Sequence, residues 1–262
     1  MAPIPEAPPY PSGHRLLAGR TVLITAAAGT GIGFATAKRC IEEGAQVFVS
    51  DIHARRLGEA CEQLRALPDA VVQSQVCDVT READVRALVD AAIGAYGQLD
   101  TLVNNAGLGG STPVVEMSDE QWCRVIDVSL TSVFRMTRAV LPHMYARHSG
   151  SIVNNASVLG WRAQALQSHY AAAKAGVMAF TRCAAIEAAE HGVRINAVAP
   201  SIAMHEFLNR VTSEELLADL QRREAFGRAA QPWEVANVIV FLASPLASYM
   251  TGEVVSVSGQ HP

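Results

Sequence analysis

The sequence has no run of apolar residues close to the roughly 18 that a helix needs to cross a bilayer. No signal peptide is visible at the N-terminus, where a short apolar core would follow a basic stretch. These two absences lead us to expect a cytoplasmic protein that does not span a membrane.

Strong charge of either sign is also missing. The 21 basic and 25 acidic residues give a net charge of −4, and no basic stripe marks a surface for nucleic acid or for an anionic membrane. We therefore expect neither kind of partner and look for a small-molecule substrate instead.

Cysteine is sparse, odd in number and never arranged as C-x-x-C. A disulfide framework uses an even number of cysteines, and thiolate metal sites use closely spaced pairs. We expect no metal site and reduced thiols in the core or on helices, at Cys40, Cys61, Cys77, Cys123 and Cys183.

The chain of 262 residues, half of them hydrophobic, is long enough for one well-buried domain. Five prolines fall within residues 1–11, so we predict a tail at 1–18 that is mobile or lies over the surface. Residues 19–262 are then a single domain.

Short Val/Ile/Leu-rich segments alternate with helical patterns along this domain, as in a parallel sheet covered on both faces. The pattern predicts an α/β fold with a doubly wound, seven-stranded parallel sheet, whose functional residues collect at the carboxyl ends of the strands. The predicted strands lie near 21–25, 46–50, 71–76, 99–104, 150–155, 193–198 and 253–257.

A glycine-rich turn follows the first strand and opens a helix, with Gly29, Gly31 and Gly33 at its centre. Bare backbone at a helix N-terminus suits a pyrophosphate. The next strand ends in Asp51, 20 residues after Gly31, where a carboxylate accepts hydrogen bonds from ribose hydroxyls. The alternative is a tight turn followed by a helix-capping aspartate.

Lysine is rare, since only Lys38 and Lys174 occur among the basic residues. Lys174 follows Tyr170 by four residues, so the two share one helix face, and an ammonium there would lower the phenol pKa. A tuned tyrosine can exchange a proton with an alcohol or ketone oxygen. Ser157, 13 residues before Tyr170, ends an apolar strand and would bind the same oxygen. The alternatives are an ordinary helix tyrosine and a strand-end serine.

Further motifs occur at Cys77-Asp78-Val79, Asn104-Asn105-Ala106-Gly107 and Asn196-Ala-Val-Ala-Pro200. Together with the motifs above, they make the chain resemble the compact single-domain branch of the short-chain dehydrogenase/reductase family. The resemblance runs from about residue 18 to the C-terminus. The resemblance implies a Rossmann-type fold, a homo-oligomer of four or two copies, and a Lys174 that also binds the nicotinamide ribose. The cofactor-binding positions it implies are Ala27, Gly29, Thr30, Gly31, Ile32, Gly33, Asp51, Ile52, Asp78, Val79, Asn105, Ala106, Gly107, Tyr170, Lys174, Pro200 and Ile202.

The chain departs from the family pattern at three informative places. Ala27 stands where the first glycine of the turn is expected. Ser129 replaces an asparagine that, in the family, helps to organise a water-linked proton path. An extra water or the serine hydroxyl would have to take the place of the asparagine amide in that path. We count Ser129 with the catalytic residues. His205 replaces a threonine; it could bond the carboxamide, face the substrate or only lie on a mobile loop.

Asp51 favours NAD(H) over NADP(H), because its carboxylate would repel a 2′-phosphate. Arg55 and Arg56 follow closely and could reach such a phosphate, although such pairs are more often solvated or stacked on adenine.

The segment 201–227 corresponds to the family's lid. Its apolar residues, together with Leu159, Trp161 and Leu166, could wall an apolar pocket, or Leu216 and Leu217 could be only the buried stripe of a lid helix.

We therefore predict hydride transfer between NAD(H) and a secondary alcohol or ketone, on a bulky apolar or ring-containing substrate. The sequence is also similar to bacterial members that degrade fused-ring or steroid-derived compounds. The alternative is a non-catalytic dinucleotide-binding or scaffolding protein of the same fold, and a sugar epimerase would need a longer substrate domain.

Overall fold

The computed structural model describes residues 7–204 and 214–259. Seven strands form one sheet in the order β3-β2-β1-β4-β5-β6-β7, and every neighbouring pair is parallel. The strands are β1 Thr21–Ile24, β2 Gln46–Asp51, β3 Val72–Val76, β4 Thr101–Asn104, β5 Gly150–Asn155, β6 Val193–Pro200 and β7 Val254–Val257.

Eight α-helices are described, and the longer ones connect the strands. They are α1 Ile32–Glu42, α2 Ala54–Arg65, α3 Glu82–Tyr96, α4 Asp119–Ile126, α5 Ser132–Arg147, α6 Ser168–Ala189, α7 Glu214–Arg223 and α8 Pro232–Ala243. A five-residue π-helical segment, Asp127–Thr131, joins α4 to α5. None of the helices in the described part of the chain is long and apolar enough to cross a membrane.

Alternate residues of each strand pack against opposite layers, as the pleat requires. In β1, Val22 and Ile24 join the core formed with α1, α2 and α8, whereas Leu23 joins the core formed with α3, α5 and α6. Both faces of the sheet are therefore covered, which confirms the predicted doubly wound α/β fold.

Two of the predicted strand ends differ from the observed ones by two residues, and the other differences are of one residue. β4 begins at Thr101 because Asp100 and Leu99 have other partners: the Asp100 carboxylate accepts the Thr21 N–H at 2.9 Å, and Leu99 N–H donates to His143 Nε2 at 3.1 Å. β6 continues to Pro200, because β7 pairs with it up to Pro200 and Val257.

Residues 10–17 lie against the carboxyl-terminal half of α1. Glu43 Oε2 accepts the His14 and Leu16 N–H groups at 2.8 and 3.0 Å, and the Leu17 side chain is fully buried. Tyr10 donates to Glu42 at 2.7 Å and packs edge-on against Trp233 of α8. We call residues 10–17 the N-terminal strap.

Candidate active site at the carboxyl edge of the sheet

The ends of β1, β4 and β5 are held together by side chains just beyond the strands. The Thr25 hydroxyl accepts the backbone N–H groups of Asn105 and Ala106 at 3.0 and 3.1 Å. The Asn105 amide donates to the carbonyls of Thr25 and Ala26 at 3.2 and 3.0 Å. These bonds fix the start of the glycine-rich turn relative to the middle of the sheet.

The glycine-rich turn uses two residues in the left-handed region, Ala26 at φ 51° and Gly29 at φ 94°. Gly33 lies so close to the Ala26 carbonyl and the Asn105 amide that a β-carbon there would overlap both. Ala27 is fully buried in the core, and its N–H donates to the Ser50 carbonyl at 3.0 Å. Its side chain therefore packs the turn, while Gly29 and Thr30 are exposed.

Asp51 ends β2 beside this turn and is almost fully buried. Its carboxylate accepts the His53 N–H at 2.9 Å and the Ala28 N–H at 3.4 Å. Arg56 lies 3.9 Å away, whereas Arg55 pairs with Glu59 at 2.7 Å. Burial raises the Asp51 pKa, and Arg56 and the backbone donors oppose that rise. Of the two arginines, Arg56 is therefore the one that lies beside the Asp51 carboxylate.

Tyr170 and Lys174 lie one turn apart on α6 and face the end of β5. The ammonium of Lys174 is 5.5 Å from the centre of the Tyr170 ring and donates to the Asn155 carbonyl at 2.6 Å. The Ser157 hydroxyl lies close enough to the Tyr170 phenol to lower its pKa, and it accepts the Leu159 N–H at 3.2 Å. The fold thus brings the three residues together from two separate segments.

Burial controls the protonation of this pair. It raises the pKa of Tyr170 to about 12, partly offset by the hydrogen bond from Ser157, and it lowers the pKa of Lys174 to about 8. In the protein without a ligand the Tyr170 pKa therefore lies above its ordinary value, and not below it as the sequence led us to expect. Desolvation disfavours the charged form of each group, the phenolate of Tyr170 and the ammonium of Lys174.

Ser129 lies in the π-helical segment between α4 and α5 and is fully buried. Its hydroxyl donates to the Leu108 carbonyl and accepts the Leu108 N–H, both at 2.9 Å. The hydroxyl thereby fastens the segment after β4, and a β-carbon on the neighbouring Gly107 would lie 3.4 Å from Lys174 Nζ.

The remaining predicted cofactor positions line the same edge of the sheet. Asp78 accepts both the N–H and the hydroxyl of Thr80, at 2.9 and 2.7 Å, which shapes the turn after β3. Ile52 is exposed next to Asp51. Along the rest of the edge lie Ile32, Val79, Ala106, Gly107, Pro200 and Ile202. His205 lies outside the described residues.

The stem of the predicted lid is described, although its middle is not. Ala203 pairs with Ala230 as a short parallel bridge, and Met204 N–H donates to the Ala230 carbonyl at 2.9 Å. Leu217 of α7 is buried and Phe226 is exposed. A cavity of about 180 Å³ lies at this stem, lined in part by Ser201, Phe226 and Val257. A surface depression of about 390 Å³ on α4 contains none of the predicted site residues.

On the opposite side of the cleft, Trp161 and Leu166 are exposed, and Leu166 adopts a left-handed φ of 68°. Thr112 N–H donates to the Leu166 carbonyl at 3.0 Å, which joins this loop to the segment after β4. These exposed apolar residues are candidates for the pocket wall that the sequence predicted.

The sequence interpretation did not identify Thr25, Asn155 or His169. Thr25 clamps the end of β4, and Asn155 contacts Lys174. His169 is buried beside Tyr170, next to Gly110, and its Nδ1 has no hydrogen-bond partner among the described residues. One signal was available, because Val-Asn-Asn-Ala occurs at both 103–106 and 153–156.

The residues present fit a nicotinamide dinucleotide. The first turn of α1 has no acidic residue and no capping side chain, so its N–H groups are free to receive an anion. A β-carbon at Gly29 would have open space around it, which leaves the turn accessible. Asp51 places a carboxylate beside this turn, where an adenosine ribose would need an acceptor for its hydroxyl groups.

The known proteins that this chain is similar to are reductases and dehydrogenases. Residues 26–259 match the family described as enoyl-(acyl carrier protein) reductase. The chain is 65% identical over 257 residues, 98% of both chains, to a (5R,7aS)-5-hydroxy-7a-methyl-1-oxo-2,3,5,6,7,7a-hexahydro-1H-indene-carboxyl-CoA reductase of Mycobacterium tuberculosis. It is 42% identical to the cis-4-hydroxycyclohexanecarboxylate dehydrogenase of Sinomonas cyclohexanicum, over 92% of this chain and 96% of that protein.

A solved structure has a similar fold. It is a short-chain dehydrogenase from Mycobacterium smegmatis, with a TM-score of 0.88 and 59% identity, and the match covers 98% of this chain and 99% of that one.

Proposed function

Because the chain belongs to the short-chain dehydrogenase/reductase family and is an oxidoreductase, we propose that it transfers a hydride between NAD(H) and a ring carbon carrying a secondary alcohol or ketone. The observation that carries this proposal is the convergence of Ser157, Tyr170 and Lys174 beside the glycine-rich turn. The substrate we propose is a fused-ring ketone or alcohol that bears a carboxyl thioester, in keeping with the name of the 65% identical relative.

In this proposal Tyr170 is the proton donor for ketone reduction and the proton acceptor for alcohol oxidation. Its phenol, with a pKa of about 12 in the structure, holds its proton at neutral pH and so is ready to give it to a developing alkoxide. Ser157 binds the same oxygen and stabilises charge there. The nicotinamide, when bound, supplies or accepts the hydride.

Lys174 has a second task besides electrostatics, since we propose that it binds the nicotinamide ribose. Its pKa of about 8 leaves it largely protonated at neutral pH, and its carbonyl partner at Asn155 holds the amine at the edge of the cleft. In the charged form the amine favours a phenolate on Tyr170, which alcohol oxidation requires.

We propose that Ser129 positions the segment after β4 and does not pass protons itself. Its hydroxyl donates its only proton to the Leu108 carbonyl and accepts a hydrogen bond from the Leu108 N–H. A water-linked path through Lys174 then bypasses the serine hydroxyl.

The wider organisation is also part of the proposal. We propose a cytoplasmic enzyme with residues 1–18 as an N-terminal segment, residues 19–262 as the catalytic domain and a substrate lid near 201–227. The apolar residues at the stem of that lid support a bulky apolar substrate.

The test is nicotinamide absorbance at 340 nm with purified protein and a panel of ketones. We expect turnover with NADH to be fastest for fused bicyclic ketones bearing a carboxyl thioester, and slower for their free acids and for cyclohexanone. Absorbance that stays constant with every ketone and alcohol, although the protein binds NADH, would support the alternative of a non-catalytic dinucleotide-binding protein.

A further inference from the structure

Two neighbouring strands end in the same four residues. Val-Asn-Asn-Ala spans the end of β4 at 103–106 and the end of β5 at 153–156. The strands are parallel and in register, with Asn104 opposite Asn154. The second asparagines, Asn105 and Asn155, therefore also lie side by side, one step beyond the ladder.

The two asparagine pairs serve different faces of the sheet. Asn104 donates to Asn154 at 2.9 Å, and Asn154 donates to Thr181 of α6 at 2.9 Å. Asn155 donates to Asn105 Oδ1 at 2.9 Å on the face that carries the glycine-rich turn. The second pair is the one bonded directly to the glycine-rich turn and, through the Asn155 carbonyl, to Lys174.

The orientation of the second pair is determined by its surroundings. The Asn105 Nδ2 group donates to two carbonyls, those of Thr25 and Ala26, so its Oδ1 atom must face Asn155. Asn155 must then present its own Nδ2 as the donor. The chain of bonds thus runs from Asn155 through Asn105 to the first residues of the turn.

The same residue holds Lys174 through its main chain. Lys174 Nζ donates to the Asn155 carbonyl at 2.6 Å. Among the described residues, no carboxylate forms an ion pair with Lys174, and the Asn155 carbonyl is the acceptor bonded to its ammonium. The main-chain carbonyl of Asn155 therefore binds Lys174, while the Asn155 side chain is linked through Asn105 to the glycine-rich turn.

The Asn155 Oδ1 atom accepts no hydrogen bond in this arrangement. It is buried and has no hydrogen-bond donor within the described parts of the chain. An unpaired buried carbonyl is costly, and a valine would suit a strand end of this kind better. A residue that is poor for stability but well connected to the site is what a positioning role predicts.

We propose that Asn155 is a positioning residue that couples the ammonium of Lys174 to the glycine-rich turn, so that both halves of a bound dinucleotide meet a pre-set site. This inference rests on the proposed function, because it assumes a dinucleotide that spans the turn and Lys174. Asn155 itself touches neither substrate nor reacting atoms in this proposal.

Titration with NADH tests the coupling. Asn155→Val removes the donor and the unpaired oxygen but keeps the backbone carbonyl, so we expect its melting temperature to stay within about 4 °C of wild type. We expect its NADH dissociation constant to rise about tenfold, equivalent to about 1.4 kcal/mol. Asn155→Ala gives the same readout if the valine does not fold.

Asn154→Val is the matched control, since it changes the same residue type one position away on the other face. We expect it to lower the melting temperature while the NADH dissociation constant changes less than twofold. An Asn155→Val protein that binds NADH as tightly as wild type, or an Asn154→Val protein that binds it equally weakly, overturns the inference.

Hydrogen exchange of the ligand-free proteins separates this inference from the proposed function. We expect the amides of residues 25–33 to exchange several-fold faster in Asn155→Val than in wild type, and unchanged exchange overturns the coupling. A wild-type protein that binds no nicotinamide dinucleotide overturns the proposed function and, with it, the role of Asn155 in binding, whatever the exchange shows.

Discussion

Lys174 and Tyr170 occupy the same face of one helix, yet burial shifts their pKa values in opposite directions, to about 8 and about 12. Desolvation penalises an ammonium and a phenolate alike, which lowers the first pKa and raises the second. The resting site therefore keeps both protons at neutral pH, a state suited to giving a proton to a reduced ketone.

Replacing Tyr170 by phenylalanine removes the transferable proton while the ring still fills its place. We expect kcat to fall at least about a thousandfold, in line with the loss of a general acid, while the NADH dissociation constant stays within a few-fold. Stopped-flow absorbance and NADH titration measure the two quantities. If Tyr170→Phe keeps most of the wild-type rate, Tyr170 is not the acid.

Replacing Lys174 by methionine should stabilise the ligand-free protein at pH 7. The lysine pKa falls from 10.5 in the unfolded chain to about 8 in the fold, so protonation favours unfolding below that range. We expect a gain of about 3 kcal/mol in the free energy of unfolding at pH 7, shrinking to less than half by pH 9.5. Urea unfolding of both proteins at the two pH values measures the difference; a gain independent of pH would contradict the burial of a charged amine.

Asp51 should set the choice of cofactor. Two charge-assisted hydrogen bonds to ribose hydroxyls make us expect NADH to bind at least about tenfold more tightly than NADPH. Asp51→Ala should weaken the binding of NADH. It should also free Arg56 to bind a 2′-phosphate, so that NADPH binds more tightly, and adding Arg56→Ala should abolish this tighter binding of NADPH. Arg55→Ala is the control, because Arg55 is paired with Glu59. Tighter binding of NADPH by the wild-type protein would show that Arg56 already holds the phosphate.

At the scale of elements, the N-terminal strap shows how a segment with little periodicity becomes ordered. Its backbone N–H groups find an acceptor in Glu43, and the same carboxylate pairs with the buried Arg39 at 2.7 Å. The proline content of 1–11 favoured a mobile or surface-lying tail, and the described residues 10–17 lie on the surface of α1. The determining contact is a single buried carboxylate 27 to 29 residues away in sequence.

Glu43→Gln should break this arrangement. The amide cannot balance the buried Arg39 charge, so we expect a loss of about 3 kcal/mol in the free energy of unfolding. Glu42→Gln, which alters a partly exposed partner of the same arginine, should cost about 1 kcal/mol or less. Urea unfolding compares the two, and limited proteolysis should cut the strap faster in Glu43→Gln only. Equal losses in both variants would show that Glu43 does not anchor the strap.

At the scale of the whole molecule, apolar side chains remain uncovered on the outer helices. Phe134 of α5 is 41% exposed and packs edge-on against Phe180 of α6, and Ile186 of α6 is 74% exposed. Apolar residues left exposed on adjoining helices are typical of a surface that meets another protein chain. This supports, at the level of a proposal, the homo-oligomer that the family resemblance implied.

Light scattering after gel filtration tests the assembly. We expect a mass two or four times that of the 27.9 kDa chain. Phe134→Glu should shift the protein to a smaller species, because it replaces an apolar ring at the contact by a charged carboxylate that must lose its water. Tyr249→Glu changes a fully exposed residue on another part of the surface and is the comparison. A wild-type protein that runs as a monomer would refute the oligomer.

The sequence by itself determined the fold class, the order of the strands along the chain, and the family, because each depends on local periodicity and on short motifs. Alternating apolar segments dictate a covered parallel sheet, and Tyr170-x-x-x-Lys174 places two groups on one helix face whatever surrounds them.

The tertiary structure alone decided how those groups behave. The direction of the Tyr170 pKa depends on how much water the fold excludes, and the Asn155–Asn105 link depends on the register of two strands 50 residues apart. Neither desolvation nor register can be read from spacing, because both are set by distant segments that meet only when the chain has folded.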